Sequence, residues 1–177
     1  MKVVAFAGFS GSGKTTLVER LLPVFRQQGL RVSVVKHAHH SFDIDHVGKD
    51  SYRHRVAGAF EVVVASSQRL ALMREFEPSA PVSVHHLIAR LDESVDWVFV
   101  EGFKDSELPK IEVWRTSSKQ PARYPLDDFI VAIATDSPVQ LPHPTQRPVL
   151  DLNDMAAVAD WLMANQSRFD YRTEILV

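Results

Sequence analysis

The chain has 177 residues, 45% of them hydrophobic and 24% charged, with a formal net charge of −2. That is the length of one domain with a sizeable core, and the near-neutral balance excludes a bulk-charge attraction to nucleic acid or an anionic membrane. The lack of cysteine excludes disulfides, thiolate catalysis and sulfur-bound zinc; no apolar stretch approaches the ~20 residues that span a bilayer and no signal-peptide pattern precedes the first strand, so a cytoplasmic protein is expected.

The first element is the apolar run Lys2-Val3-Val4-Ala5-Phe6-Ala7, of the kind a buried parallel strand shows. It leads into Gly8-Phe9-Ser10-Gly11-Ser12-Gly13-Lys14-Thr15, which fits G-x-x-x-x-G-K-[ST], the phosphate-binding P-loop. Thr16-Leu17-Val18-Glu19-Arg20-Leu21-Leu22 then begins a helical pattern. Strand, glycine loop and helix is the order that phosphate binding demands. Gly8, Gly11 and Gly13 let the backbone curl with its N–H groups turned inward, and the positive end of the helix faces the same anion. Lys14 would reach the β- and γ-phosphates, and the Thr15 hydroxyl would bind Mg²⁺. A glycine-rich turn with a coincidental lysine is the competing explanation; the flanking strand and helix argue against it.

A helix is predicted over residues 14–28, with Leu17, Leu21, Leu22 and Phe25 on its apolar face, Pro23 as a blemish and Gly29 as its stop. Residues 31–36 form a second strand. Residues 37–50 show no period and read as a long loop. Asp50 is placed as the cap of a short helix over 51–57 that ends at Gly58. Residues 59–65 read as a buried strand, 66–68 as a turn, and 69–74 as a strand returning beside it. A helix follows over 81–91. Residues 96–103 contain a buried strand ending in an acid, Glu101. Residues 110–115 alternate in polarity and read as a strand that, carrying Trp114, offers an edge or face to a partner. After a polar loop over 117–125 comes a buried strand at 129–134. Four prolines mark 138–148 as a surface loop, and 148–152 is a final short strand. Asn153 is the predicted cap of a helix over 155–164, and 167–177 has no clear assignment. Strands alternating with helices give an α/β fold: one P-loop nucleotide-binding domain over 1–177, a P-loop NTPase-like three-layer sandwich with a mostly parallel sheet and helices on both faces.

Glu101 stands at the carboxyl end of a core strand, where open α/β sheets place their ligands. A carboxylate there can hold Mg²⁺ or polarise a water, and Gly102 lets the backbone turn away beside it. Asp43, Asp45 and Asp50 lie in the long loop after the second strand, where a switch beside a γ-phosphate would place an aspartate near Mg²⁺ or the attacking water; loop polarity and helix capping are the plainer explanation. His37, His39, His40, His46 and His54 invite a metal reading, but H-x-H-H matches no helical geometry, which favours solvated or phosphate-facing roles. Lys36, Lys49, Arg53 and Arg55 add positive charge nearby. A guanine-reading Asn-Lys-x-Asp is absent; Asp136, after a core strand, can accept from guanine N1–H and N2–H₂, and a turn before Ser137-Pro138 explains it equally well. No arginine finger is evident near the loop. The candidates are thus Lys14, Asp45 and Glu101 for catalysis, Thr15, Asp45 and Glu101 for the metal, and Gly8, Ser10, Gly11, Ser12, Gly13, Lys14, Thr15, Thr16, Lys36, Asp50 and Asp136 for the nucleotide.

Together these residues resemble the molybdopterin-guanine dinucleotide biosynthesis adaptor proteins, the MobB family. The resemblance rests on the loop from Gly8 to Thr16, on Lys36-His37 with His39-His40, on Asp45 with Gly48-Lys49-Asp50-Ser51-Tyr52-Arg53 and Ala57-Gly58-Ala59, on Val100-Glu101-Gly102-Phe103-Lys104, and on Pro109-Lys110-Ile111-Glu112. The Gly-Lys-Asp-Ser and Glu-Gly-Phe-Lys segments are more specific than the loop, which many families share. The resemblance implies GTP binding with weak hydrolysis of the phosphoric anhydride, Mg²⁺, a homodimer, and a supporting role in attaching GMP to molybdopterin. The transfer itself would belong to a partner, a molybdenum cofactor guanylyltransferase, among other cofactor-maturation proteins. Two other classes stay open at this point. A small-molecule P-loop kinase would need an arginine-bearing lid, for which Ser117 to Arg123, with Lys119 and Arg123, is a candidate. A metallochaperone GTPase would use the histidines.

Overall fold

The computed structural model describes residues 1–38, 42–76 and 82–172. In chain order the elements are β1 (Lys2–Ala7), α1 (Lys14–Gln27), β2 (Val32–Lys36), α2 (Asp50–Val56), β3 (Glu61–Ala65), β4 (Leu70–Arg74), α3 (Val84–Ile88), β5 (Trp97–Glu101), β6 (Lys110–Val113), β7 (Ile130–Thr135), β8 (Val149–Asp151) and α4 (Met155–Ala164). They divide into two compact units, one made of Met1–His37 with Ser83–Val177, the other of Ala38–Val82.

The larger unit is built on one six-stranded sheet in the order β2-β5-β1-β6-β7-β8, every pairing parallel. β1, β5 and β7 are apolar at successive positions because both of their faces are covered. Val4 and Phe6 face one way, with Trp97, Phe99, Ile111 and Val113, against Leu17, Leu21 and Phe25 of α1 and Val158 and Leu162 of α4. Val3 and Ala5 face the other, with Val98 and Val100, against Val84 and Ile88 of α3. This is the α/β sandwich expected from the sequence. Phe25 anchors the first layer, edge-to-face with Trp97 and Phe99 at centroid distances of 5.4 and 5.0 Å. α1 runs on through Pro23 and ends with Gly29 at φ 78°, a conformation that glycine adopts without a Cβ penalty. α4 has the predicted span, but Asp154 and not Asn153 caps it, accepting from Ala157 N.

Because every pairing is parallel, the carboxyl ends of β1, β2, β5, β6 and β7 share one edge of the sheet. β1 lies between β5 and β6, so whatever follows β5 and β6 flanks the glycine loop.

Two expectations fail for physical reasons. The strand over 110–115 is no partner edge: β6 is interior, between β1 and β7, and its polar positions point into the protein. Lys110 is buried against Asp127 at 3.2 Å, and Glu112 accepts from Arg123 N and Tyr124 N at 2.8 and 2.7 Å. Burial pushes the Glu112 carboxyl above its usual range, and those two N–H groups pull the other way. The strand over 59–65 is not a core strand either. β3 pairs only with β4, antiparallel, in the smaller unit. Val63, Ala65, Leu70 and Leu72 occupy one face of this hairpin, and the three large ones are 57%, 69% and 45% exposed in the order Val63, Leu70, Leu72. A run of β-branched residues marks a strand but does not say which sheet it joins.

Candidate nucleotide-binding site

β1 delivers the chain to Gly8, where φ is 142° and an added Cβ would sit 2.5 Å from the Val113 carbonyl oxygen and 2.9 Å from Ser12 Oγ. No side chain fits there, so the loop packs on the end of β6 only with glycine. Ser10 and Gly11 form the exposed outer bend. Gly13, at φ 98°, is the N-cap of α1, and no side chain caps that end or places an acid in its first turn. The helix therefore presents N–H groups and a positive dipole end with no cap or acid of its own to offset them, which suits an anion. Thr16 stands exposed in that first turn. Beneath the loop Ser12 is buried, and its Oγ has no hydrogen-bond partner among the described residues.

Lys14 reaches back across the loop and donates to the carbonyls of Gly8 and Phe9 at 2.9 and 2.8 Å. Thr15 Oγ1 donates to Glu101 Oε1 at 2.5 Å, and Lys36 Nζ lies 3.3 Å from Glu101 Oε2. Register explains the gathering: Phe6 and Lys36 both pair with Glu101 across β5. A hydroxyl and a carboxylate make a hard oxygen pair of the kind Mg²⁺ takes, beside a cradle for phosphates, so the residues fit a magnesium nucleotide.

Burial lowers the pKa of Lys14 below the usual lysine value; the Glu101 carboxylate opposes that fall and Lys36 adds to it. Phosphate favours the ammonium form. Triphosphate affinity is therefore expected to be highest below the free protein's Lys14 pKa and to fall as pH rises through it, ahead of an ordinary lysine. Calorimetric titration across an alkaline pH series checks this; affinity flat past that range would contradict it.

The remaining candidates lie as follows. Asp136, just past β7, is already engaged: Oδ2 accepts from Arg115 Nη1 at 2.7 Å and Oδ1 from Ser137 Oγ at 3.0 Å. Asp45 and Asp50 belong to the smaller unit. Asp45 is almost enclosed, accepting from Ser51 Oγ at 2.8 Å and lying 3.5 Å from Arg55 Nε. Asp50 is the first residue of α2 and not its cap; Lys49 occupies that position. The Arg55 guanidinium also bonds Asp43 and holds its carboxyl below the usual range. His37 stacks on Phe103 at 4.5 Å between ring centroids, with Gly102 at φ 95° allowing the approach. His39 and His40 lie outside the described residues. Among the described residues no group of three or more His, Asp or Glu gathers to hold a metal, and no helix is long and apolar enough to cross a membrane. Arg123, offered as a kinase-type lid residue, is tied to Asp105 at 2.7 Å, with Tyr124 beside it buried.

Sequence reasoning misses Arg115 altogether. It follows β6, and its Nε donates to the Ser12 carbonyl at 3.0 Å. The signal was its place two residues beyond a strand that neighbours β1, which no periodicity shows.

Comparison with known proteins gives the family of the chain. Residues 3–136 match the family described as MobB, molybdopterin guanine dinucleotide synthesis protein B. The chain is 40% identical over 163 residues to the molybdopterin-guanine dinucleotide biosynthesis adapter protein of Escherichia coli (strain K12), covering 91% of each. It is 38% identical to the protein of the same description from Haemophilus influenzae, covering 90% of this chain and 86% of that one. The crystal structure of a MobB protein homolog from Bacillus stearothermophilus superposes with a TM-score of 0.68 at 28% identity, covering 94% of this chain and 99% of that one.

Proposed function

The chain belongs to the molybdopterin guanine dinucleotide synthesis protein B family, and from that premise we propose that it is a cytoplasmic GTP-binding adapter with weak GTPase activity, which assists a guanylyltransferase in attaching GMP to molybdopterin. The observation that carries the nucleotide part is the convergence of Lys14, Thr15, Lys36 and Glu101 at the carboxyl edge of the sheet. In this function the glycine loop and the start of α1 hold the phosphates, and Lys14 exchanges its two carbonyl partners for phosphate oxygens. Thr15 and Glu101 would hold Mg²⁺, which supplies charge neutralisation for the departing phosphoryl oxygens. Turnover is slow because Arg115 is occupied by the Ser12 carbonyl and Asp136, and a free arginine finger can contribute ~10³–10⁵ in rate.

Asp136 is the guanine reader assigned here. Adenine offers no donor pair to its carboxylate, a mismatch of about 1–3 kcal/mol, or roughly ten- to a hundredfold in affinity. Titration with GTP and ATP tests it: the parent prefers GTP, and Asp136→Asn narrows the ratio. An unchanged ratio moves the reader elsewhere, and equal affinity in the parent removes the GTP assignment.

The adapter works as a homodimer, and the exposed face of the β3–β4 hairpin supports this. A two-stranded hairpin is marginal alone, and an apolar face of this kind calls for a partner. Light scattering should give twice 19.9 kDa. Val63→Glu with Leu72→Glu should give the monomer mass with an unchanged far-ultraviolet spectrum. A parent that stays monomeric at micromolar concentration overturns the dimer.

A further inference from the structure

We propose that Arg115 is a positioning residue that presets the phosphate loop and couples it to Asp136, an assignment that rests on the nucleotide site above. The Ser12 carbonyl and the Gly13 N–H belong to one planar trans peptide and point in opposite directions. Arg115 Nε grips that carbonyl at 3.0 Å. The grip fixes the peptide plane and turns the Gly13 N–H to the other side, the side on which a P-loop receives its anion. The φ of 98° at Gly13 favours glycine, and an added Cβ would stand 3.3 Å from Arg115 Nη2, so the guanidinium would have to shift to admit it.

The guanidinium is itself held. Its Nη1 donates to Asp136 Oδ2 at 2.7 Å, and Ser137 Oγ donates to the other carboxylate oxygen at 3.0 Å. Strand register makes this possible, because Trp114 N donates to Ala134 O and brings the ends of β6 and β7 together. A positive charge beside the N-terminus of α1 is unfavourable alone, and the Asp136 carboxylate compensates it. The planar fork of arginine fixes the directions of its bonds to the carbonyl and the carboxylate, whereas lysine offers a compact point charge that holds neither in a set plane. Asp136 therefore acts on the phosphate loop through Arg115, in addition to any contact with a base.

The discriminating probe is inorganic tripolyphosphate with Mg²⁺, which has no base. Its affinity and that of GTP are measured for the parent, Arg115→Ala, Arg115→Lys, Asp136→Asn, the double variant Arg115→Ala/Asp136→Asn and Lys14→Ala, with a melting curve for each. Loss of a charge-assisted contact predicts that Arg115→Ala weakens both ligands about tenfold. Arg115→Lys recovers part of this. Asp136→Asn weakens tripolyphosphate by several-fold although it touches no phosphate, and the double variant is no worse than Arg115→Ala alone, the mark of one coupled unit. If Asp136→Asn changes only the GTP/ATP ratio and leaves tripolyphosphate binding at the parent level, the coupling is overturned. Parent-like tripolyphosphate binding by Arg115→Ala overturns the positioning role, while the phosphate site stands if Lys14→Ala has lost binding. A parent that takes GTP but no tripolyphosphate also overturns it, since a preset loop must hold the bare anion. Parent-like binding by Lys14→Ala removes the site itself.

Discussion

Lys14→Ala is expected to lose triphosphate binding by about a hundredfold or more while keeping the fold. The two halves have separate causes. Charge-assisted contacts to phosphate contribute about 1.5–3 kcal/mol each, and Lys14 is the cation that bonds the loop itself. Lys36 is engaged by Glu101 and Arg115 by Ser12 and Asp136. Stability depends on other atoms. Lys14 contributes two bonds to loop carbonyls that water can replace, and burial already penalises its charge, as the lowered pKa records. A loss near 1 kcal/mol corresponds to a shift of about 2–4 °C in a domain of this size. Nucleotide titration and a melting curve decide both points. Unchanged GTP affinity would remove the site, and collapse of the fold would show that Lys14 is structural.

Where the chemistry is local in the chain, the sequence reveals it. Gly8 to Thr15 announces the loop because strand, turn and helix are consecutive, and Glu101 announces itself because a buried run ends in an acid. What the sequence hides is neighbourhood. Glu101 and Thr15 meet through the pairing of β1 with β5, which joins elements far apart in the chain. Arg115 is invisible for the same reason: only the insertion of β1 between β5 and β6 brings it to Ser12. Periodicity misleads in β6, whose polar positions are buried because Asp127 and the Arg123 and Tyr124 amides satisfy them. It misleads in β3, where a buried-strand pattern belongs to a hairpin with an open face. Asp45 shows a further limit. Loop composition suggests a carboxylate beside a metal but cannot show that, within its own unit, Ser51 and Arg55 bond it.

Glu101→Gln is the second large effect. The substitution keeps the size of the side chain and one acceptor for the Thr15 hydroxyl, so the strand end should stay in place. It removes the charge that faces Lys36 at 3.3 Å and acts on Lys14. A neutral amide is a poorer donor to a hard dication than a carboxylate, so Mg²⁺-dependent GTP affinity should fall about tenfold and single-turnover hydrolysis about 10²–10³-fold, the range for losing one preorganised electrostatic contact. The pH profile supplies an independent sign. The Glu101 carboxylate raises the Lys14 pKa against burial and Lys36, both of which lower it. Removing the carboxylate lets that pKa fall further, so the alkaline loss of triphosphate affinity should move to lower pH in Glu101→Gln than in the parent. A side chain that merely braced the strand end would leave that limb where it was. Parent-like turnover, Mg²⁺ dependence and alkaline limb in Glu101→Gln would together exclude Glu101 from the site and leave the magnesium to other ligands.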